Sequence, residues 1–387
     1  MINKTIFTFE KLYRAYLDCR ENKRNTINAL EFEWNLERNL FRLQKELEAK
    51  KYRSGRSICF AIKDPSPREI FAADFRDRIV HHLLINEIEG IGERKFIFDT
   101  FSCRKGKGTH LAVRRLKSFI RKVTKNYTQR AFYAQLDISG FFMAINHYIL
   151  YSLFKKLVSK HNKPSWWEKE VLWLAKTIIF NKPTKNYVTK GDVSLFKFIP
   201  PRKSLFYFGL HCGLPIGNYS SQFSANLYLN ELDQFVKREL KCRYYVRYVD
   251  DLILLDRDKE NLRHWRNKIN NFLEERLSLK LNLDKTKIQP IDNGINFLGY
   301  FVKPDYVLVC RRVVSRLKNK LYFLNKNKKE TLELNKTLAT INSYYGHFKH
   351  AFSFNLRKDI YENHLGEKGE KFLPKREYSF LKLMEPF

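Results

Sequence analysis

YYVRYVDDLILLD, running from Tyr244 to Asp256, sets an apolar run on each side of a pair of acids. Aromatic and β-branched residues fill both flanks, the pattern of two strands joined by a tight turn. Asp250 and Asp251 then sit at a hairpin tip. A lone Asp-Asp commonly does no more than make a turn. LDISGFF, Leu136 to Phe142, changes that reading: Asp137 closes an apolar run over 126–138 that reads as a buried strand. Alone, Asp137 could cap a helix. With Asp250 it makes two carboxylates at two strand ends, the hard-oxygen set that suits Mg²⁺. Two ions held there would activate a hydroxyl and stabilise a leaving phosphate.

Outward from this pair, the chain alternates helical and strand patterns. Residues from about 8 to 50 recur in apolar character at three- and four-residue spacing (Leu36, Leu40, Leu43, Leu47) and read as helix. RSICFAIKDPSPREI reads as a strand followed by a Pro-rich break, and FRDRIVHHLLINEIEGI as helix. Residues 150–190 read as helical, ending in a basic loop. After a Gly/Pro turn at 213, SQFSANLYLNELDQFVKREL reads as an amphipathic helix, with Ser220 or Ser221 as its N-cap. Residues 259–280 read as helix and NFLGYFV as a strand. From about 304 the chain turns Lys/Arg-rich and mostly helical, poor in strand signals.

The 387 residues carry 73 Lys+Arg against 41 Asp+Glu, a net charge of +32, which points to a polyanionic partner. With 44% hydrophobic residues the chain is neither disordered nor collagen-like. Six scattered cysteines without a C-x-x-C pair argue against a disulfide framework or zinc site and fit a reducing cytosol. His347 and His350 have no nearby Cys or His to complete a metal set. The N-terminus lacks an apolar signal core and no long apolar run offers a membrane span. The loop Lys105–Thr109 does not have P-loop spacing.

Seven stretches, in order, carry a resemblance: FAIKDPSPREIFAADFRDRIVHHLL, FSCRKGKGTHLAVRRL, LDISGFFMAINH, GLPIGNYSSQFSANLYL, RYVDDLILL, LNLDKTKI and NFLGYFV. Together the series resembles a reverse transcriptase of the bacterial and phage type, within the group II intron-like superfamily. IGNYSSQ, Ile216 to Gln222, resembles the signature of diversity-generating retroelement enzymes. The resemblance implies an α+β right-hand polymerase with fingers, a palm whose antiparallel sheet carries the YVDD hairpin, and a helical thumb. It implies N-terminal helices and fingers over 1–125, palm over 126–150, fingers or insertion over 151–212, palm again over 213–303, and a basic helical thumb over 304–387.

The resemblance assigns two Mg²⁺ ions, replaceable by Mn²⁺, to Asp137, Asp250, Asp251 and the backbone carbonyl of Ile138. It implies Lys285 as a general acid at the leaving pyrophosphate. Phe142 would exclude a ribose 2′-hydroxyl, with Phe141 as the core residue. Arg68 and Arg104 would contact the nucleotide triphosphate, in line with bidentate guanidinium–phosphate chemistry. Resembling enzymes often carry Lys where this chain has Ser66, and Lys63 is the nearest substitute. Gly217, Ser221 and Gln222 would lie near the nascent base pair, with Gln222 touching nucleotide or template. Phe297, Leu298, Gly299 and Tyr300 would hold the primer end, though they also read as strand. Arg311, Arg312, Arg316, Lys318, Lys320, Lys326, Lys328 and Lys329 would follow the backbone of an RNA–DNA hybrid. Arg76 and Arg78 would touch the template or pair with acids.

The expected function is RNA-directed DNA synthesis, error-prone and in a diversity-generating retroelement. The expected setting is the cytoplasm of a bacterial or phage-infected cell, with a template RNA, a structured non-coding RNA, a small basic oligomeric accessory protein and no membrane. An antiphage reverse transcriptase copying a dedicated non-coding RNA shares nearly every residue. Intact Asp137, Asp250 and Asp251 oppose a catalytically dead RNA-binding protein. Phe142 and YVDD oppose an RNA-dependent RNA polymerase. The short C-terminal region opposes a group II intron maturase.

Overall fold

A computed structural model describes residues 4–21, 26–63, 66–159, 161–326 and 330–384, with the backbone alone at 330–333. Lys328 and Lys329 lie outside the described residues. Helices and strands are mixed. The strands form four sheets, and the largest orders Tyr244–Tyr248, Asp251–Asp256, Phe132–Asp137 and Lys287–Pro290 as successive neighbours. Thus the hairpin predicted from YVDD forms, with Val249 and Asp250 as its turn, and the Asp137 strand lies beside it. None of the described helices is long and apolar enough to cross a membrane.

Two compact units are present: 1–105 with 135–253 and 263–286, and 106–134 with 254–262 and 287–387. In the first, three helices (Phe9–Arg20, Ile27–Trp34, Leu36–Glu48) occupy the stretch predicted helical. Ser57–Ile62 pairs antiparallel with Arg68–Ala72, the Pro-rich break falling between them in sequence. A short strand, Tyr187–Thr189, pairs parallel with Ser57–Cys59 inside a region expected to be helix and basic loop. Its three residues give too brief a pattern for periodicity to reveal.

The helix Tyr219–Gln234 departs most from expectation. It is buried on nearly all sides, including Ser221, Ser224, Asn226, Asn230 and Asp233. The side chains that read as a solvent face are interior, because distant segments supply their partners: Asn226 donates to the Ser102 carbonyl at 2.9 Å. Its N-cap position is Asn218, not Ser220 or Ser221, and the Asn218 side chain instead accepts from the Ala73 N–H at 3.0 Å. Ser220 is buried against His81.

In the second unit, helices Arg311–Lys326, Glu330–Phe348 and Phe354–His364 pack around Leu317, Leu321, Ile341, Tyr345, Phe348 and Ile360. NFLGYFV is two strands rather than one: Phe297 pairs with Tyr300 across a turn of Leu298 (φ 51°) and Gly299 (φ 86°). Two successive left-handed residues are what a two-residue hairpin turn requires. A further antiparallel hairpin, Phe372–Lys375 with Phe380–Leu383, ends the described chain in a region that reads as mostly helical and poor in strand signals. Phe372 and Leu381 fill the core of this unit, and two strands of four residues each are too short to stand out in the sequence.

Candidate functional site

The strand Phe132–Asp137 delivers Asp137 at its end, and Ile138, buried, bridges to Leu281. The Asn282 N–H donates to the Asp137 carbonyl at 2.7 Å, which fixes LNLDKTKI beside it. On that segment Asn282 Nδ2 and Lys285 Nζ each donate to Asp137 Oδ2 at 3.1 Å. Lys285 is 57% exposed, so this ion pair can open to solvent at little cost.

The hairpin brings Asp250 and Asp251 to the same place. Burial, then Asp250 and Asp137, push Asp251 up to about 7, while Lys285 and Arg68 oppose the rise. Asp250 is raised by burial and then by Asp137, again against Arg68 and Lys285. Three half-buried carboxylates that repel one another call for a cation. Among the described residues, no three His, Cys, Asp or Glu side chains form a metal cage by themselves. Mg²⁺ usually takes only one or two carboxylates and completes its shell with water and substrate phosphates. The donor set therefore fits such an ion, with Asp137 and Asp250 as its carboxylates.

A buried ion pair holds the hairpin tip. Arg247 donates from Nε and Nη2 to both Asp233 oxygens at 2.8 and 2.7 Å. Its Nη1 donates to the Val249 carbonyl at 3.1 Å and to Asn226 at 3.3 Å. Tyr245 donates to Asp233 at 2.8 Å. Val249 has φ 56°, a left-handed conformation that a β-branched residue adopts only under constraint. Sequence reasoning missed Arg247 and Asp233; an acid in a helix and an Arg in a strand each read as surface charge.

Phe141 is buried and Phe142 half-buried, with their rings edge to face at 5.4 Å. The Phe142 carbonyl accepts from the Leu214 N–H at 2.7 Å, and the Ile145 carbonyl from Gly213 at 2.9 Å, so GLPIGN runs beside FFMAI. Its other side meets the strand Arg68–Ala72, where the Phe71 N–H donates to the Ile216 carbonyl at 3.0 Å. A Cβ at Gly217 would stand 3.0 Å from Ile70, so the close approach there is to this strand. Ser221 faces inward, whereas Gln222 is exposed.

Arg68 opens its strand, is exposed, and acts electrostatically on Asp250 and Asp251. Lys63 is exposed at the start of the connection to it. Arg104 does not join them. Its side chain is 5% exposed, grips Glu93 through Nε and Nη2, and donates from Nη1 to Ile97 and Thr100. Those bonds tie down the loop after the helix Phe75–Lys95, and the geometry gives Arg104 a structural place. Arg76 pairs with Glu46 and Asp77, and Arg78 donates to the Ala73 carbonyl.

Lys203 is the cation the sequence did not flag. It ends a short 3-10 turn, Pro201–Lys203, and its Nζ lies 3.5 Å from Ser66 Oγ. Burial first, then Arg68, Lys285 and Arg202, hold its pKa down, and Asp137 opposes them. PRKSLF reads only as a basic Pro turn, and no local signal places it there.

In the second unit, Phe297 and Tyr300 are buried and Leu298 and Gly299 form the turn. Tyr300 donates to the His347 carbonyl at 2.8 Å and lies 3.1 Å from the Nδ1 atoms of His110 and His347. Burial holds His110, His347 and His350 below the usual histidine pKa. Arg311 and Arg312 are exposed at the start of their helix, while Lys318 is paired with Asp359 at 3.0 Å.

The profile of the reverse transcriptase (RNA-dependent DNA polymerase) family matches residues 62–302. Protein YkfC of Escherichia coli is 25% identical over 257 residues, 58% of this chain and 60% of that protein. A putative COX1/OXI3 intron 2 protein of Saccharomyces cerevisiae is 42% identical over 67 residues, 17% of this chain and 8% of that protein. The chain thus spans less than two thirds of these curated relatives. Among solved structures, telomerase from Candida albicans with a TWJ fragment of telomeric RNA is similar at TM-score 0.49 and 12% identity, covering 83% of this chain and 61% of that one. Apo telomerase from Candida tropicalis gives TM-score 0.49 and 12% identity, covering 84% and 63%.

Proposed function

Because the chain belongs to the reverse transcriptase (RNA-dependent DNA polymerase) family, we propose that it adds deoxynucleotides to a 3′-hydroxyl on an RNA template. The observation that carries this is the gathering of Asp137, Asp250 and Asp251 at adjoining strand ends, with Lys285 on Asp137 and Arg68 nearby. Asp137 and Asp250, with the Ile138 carbonyl, would hold Mg²⁺, which when bound activates the hydroxyl and stabilises the leaving pyrophosphate. Mn²⁺ has the same preference for oxygen donors. Lys285 moves from Asp137 to the leaving pyrophosphate and offers it a proton. Arg68 orients the triphosphate through paired donors. Phe142 excludes the 2′-hydroxyl, and Gln222 stands exposed toward nucleotide or template.

The net charge of +32 supports a template RNA and its RNA–DNA hybrid as partners. Exposed Arg311 and Arg312 suit the hybrid backbone, and the turn Phe297–Tyr300 the primer end. Ile216–Gln222 supports a diversity-generating retroelement, in which cDNA synthesis is error-prone and a structured RNA and a small basic oligomeric protein take part in the cytoplasm. The test is to purify the protein with its native locus, sequence the RNA that accompanies it, and sequence the DNA made with dNTPs and Mg²⁺. Mutations concentrated at template adenines in a repeat support the retroelement reading. Faithful or repetitive DNA from a dedicated non-coding RNA replaces it with the antiphage one.

A further inference from the structure

We infer that Lys203 reaches into the nucleotide site and binds the triphosphate of the incoming deoxynucleotide. The inference deepens the polymerase reading above and rests on it.

Two anchors hold Lys203 in place, one on each side. On one side Glu69, 1% exposed and adjacent to Arg68, accepts from Ser204 Oγ at 2.7 Å and from the Leu205 N–H at 2.9 Å. The strand that presents Arg68 outward therefore grips the residues just after Lys203 on its inner face, as strand alternation dictates. On the other side the Arg202 carbonyl lies against Gly140, in the turn that follows Asp137. A Cβ at Gly140 would stand 2.7 Å from that oxygen, and Gly140 has φ 56°. Lys203 is thus fixed between the Arg68 strand and the Asp137 turn.

The side chain completes the picture. Its Nζ lies at Ser66, in the connection that leads into Arg68. Burial first, and then Arg68, Lys285 and Arg202, act against its charge, with Asp137 opposing them. Arg68, Lys285, Arg202 and Lys203 so gathered form a cationic patch on one flank of Asp137, and an anionic ligand would relieve their mutual repulsion. A triphosphate whose reacting phosphorus sits at Asp137 and Asp250 would extend its β- and γ-phosphates into this corner. Lysine binds phosphate as a mobile point charge, and Ser66 is its neutral resting partner. Lys63, nearer in sequence to Arg68, is exposed at the start of the connection.

The test is steady-state extension of oligo(dT) on poly(rA) with dTTP and Mg²⁺. It compares wild type, Lys203→Ala, Lys203→Arg, Lys63→Ala and the double variant Ser66→Lys with Lys203→Ala. Loss of one charged hydrogen bond predicts a KM for dTTP raised about 10- to 100-fold in Lys203→Ala. The kcat and the primer–template Kd should stay near wild type. Lys203→Arg should recover most of the loss, and so should moving the ammonium to position 66. The recovery separates charge from any disturbance of the 201–205 segment. An unchanged KM in Lys203→Ala overturns the inference, and so does a loss that neither Arg nor Ser66→Lys recovers. Wild type that extends no primer overturns the polymerase reading itself and this inference with it.

Discussion

Removing Asp233 tests how the hairpin tip is held. Asp233 and Arg247 are 0% and 1% exposed, so Asp233→Ala strands a guanidinium in the interior. It removes two charge-assisted bonds from Arg247 and the acceptor of Tyr245. Breaking one partner of a buried pair costs about 3–5 kcal/mol. That is a large share of the roughly 5–15 kcal/mol by which a fold is stable. At about 2–4 °C per kcal/mol, the melting point of this unit should fall by about 6–20 °C. All five tryptophans, Trp34, Trp166, Trp167, Trp173 and Trp265, belong to the same unit, so a tryptophan-fluorescence melt reports it alone. The double variant Asp233→Leu with Arg247→Met removes both charges and should return to within about 1–2 kcal/mol of wild type. It still lacks the donor to the Val249 carbonyl. Nucleotide incorporation should therefore stay down about tenfold or more while stability recovers, because small displacements of reacting groups are costly. An Asp233→Ala melt indistinguishable from wild type, or a double variant with full activity, refutes the reasoning.

Other outcomes follow from the same geometry. Asp250→Ala should abolish incorporation and leave salt-dependent RNA binding in place; extension at the wild-type rate in that variant removes Asp250 from the metal site. Phe142→Ala should admit ribonucleotides, measured as the ratio of kcat/KM for dTTP and UTP; an unchanged ratio places sugar selection elsewhere. His81 is buried and lowered, by burial first, from 6.5 to about 3. It is neutral in the fold and takes a proton in the unfolded chain, so its stabilisation is complete above 6.5 and shrinks as pH falls below it. Between pH 7 and pH 5 the loss is about 2 kcal/mol. Urea unfolding at the two pH values measures it, and His81→Leu should reduce the difference; the same slope in that variant assigns the effect to other groups.

What the sequence made legible was local. The hairpin at Val249–Asp250 and the strand ending at Asp137 announce themselves through short apolar runs interrupted by acids. The helix Tyr219–Gln234 stands where its pattern places it but is buried where that pattern implies a solvent face. Whether Asn226 or Asp233 faces water depends on Ser102 and Arg247, which periodicity within the helix does not register. Arg104 and Lys203 show the same limit from opposite sides. Arg104 stands in a motif that suggests phosphate binding, yet Glu93, Ile97 and Thr100 take its donors. Lys203 stands in an unremarked Pro turn, and Glu69 and Gly140 fix it beside the aspartates. The hairpin Phe372–Lys375 with Phe380–Leu383 is not legible because four residues in each strand are too few for an alternation to show.

The contact between Gly140 and the Arg202 carbonyl also constrains how this chain can change over generations. Any side chain at 140 displaces the 201–203 turn, and any turn that stays in place demands glycine. The two sites are remote along the gene yet should vary as one. In a set of diverged relatives, a substitution at position 140 should be accompanied by a rebuilt 201–205 segment, and chains that keep Pro201–Leu205 should keep Gly140. Recombination between diverged copies at a crossover between the two would then produce chains that fail more often than crossovers placed on either side.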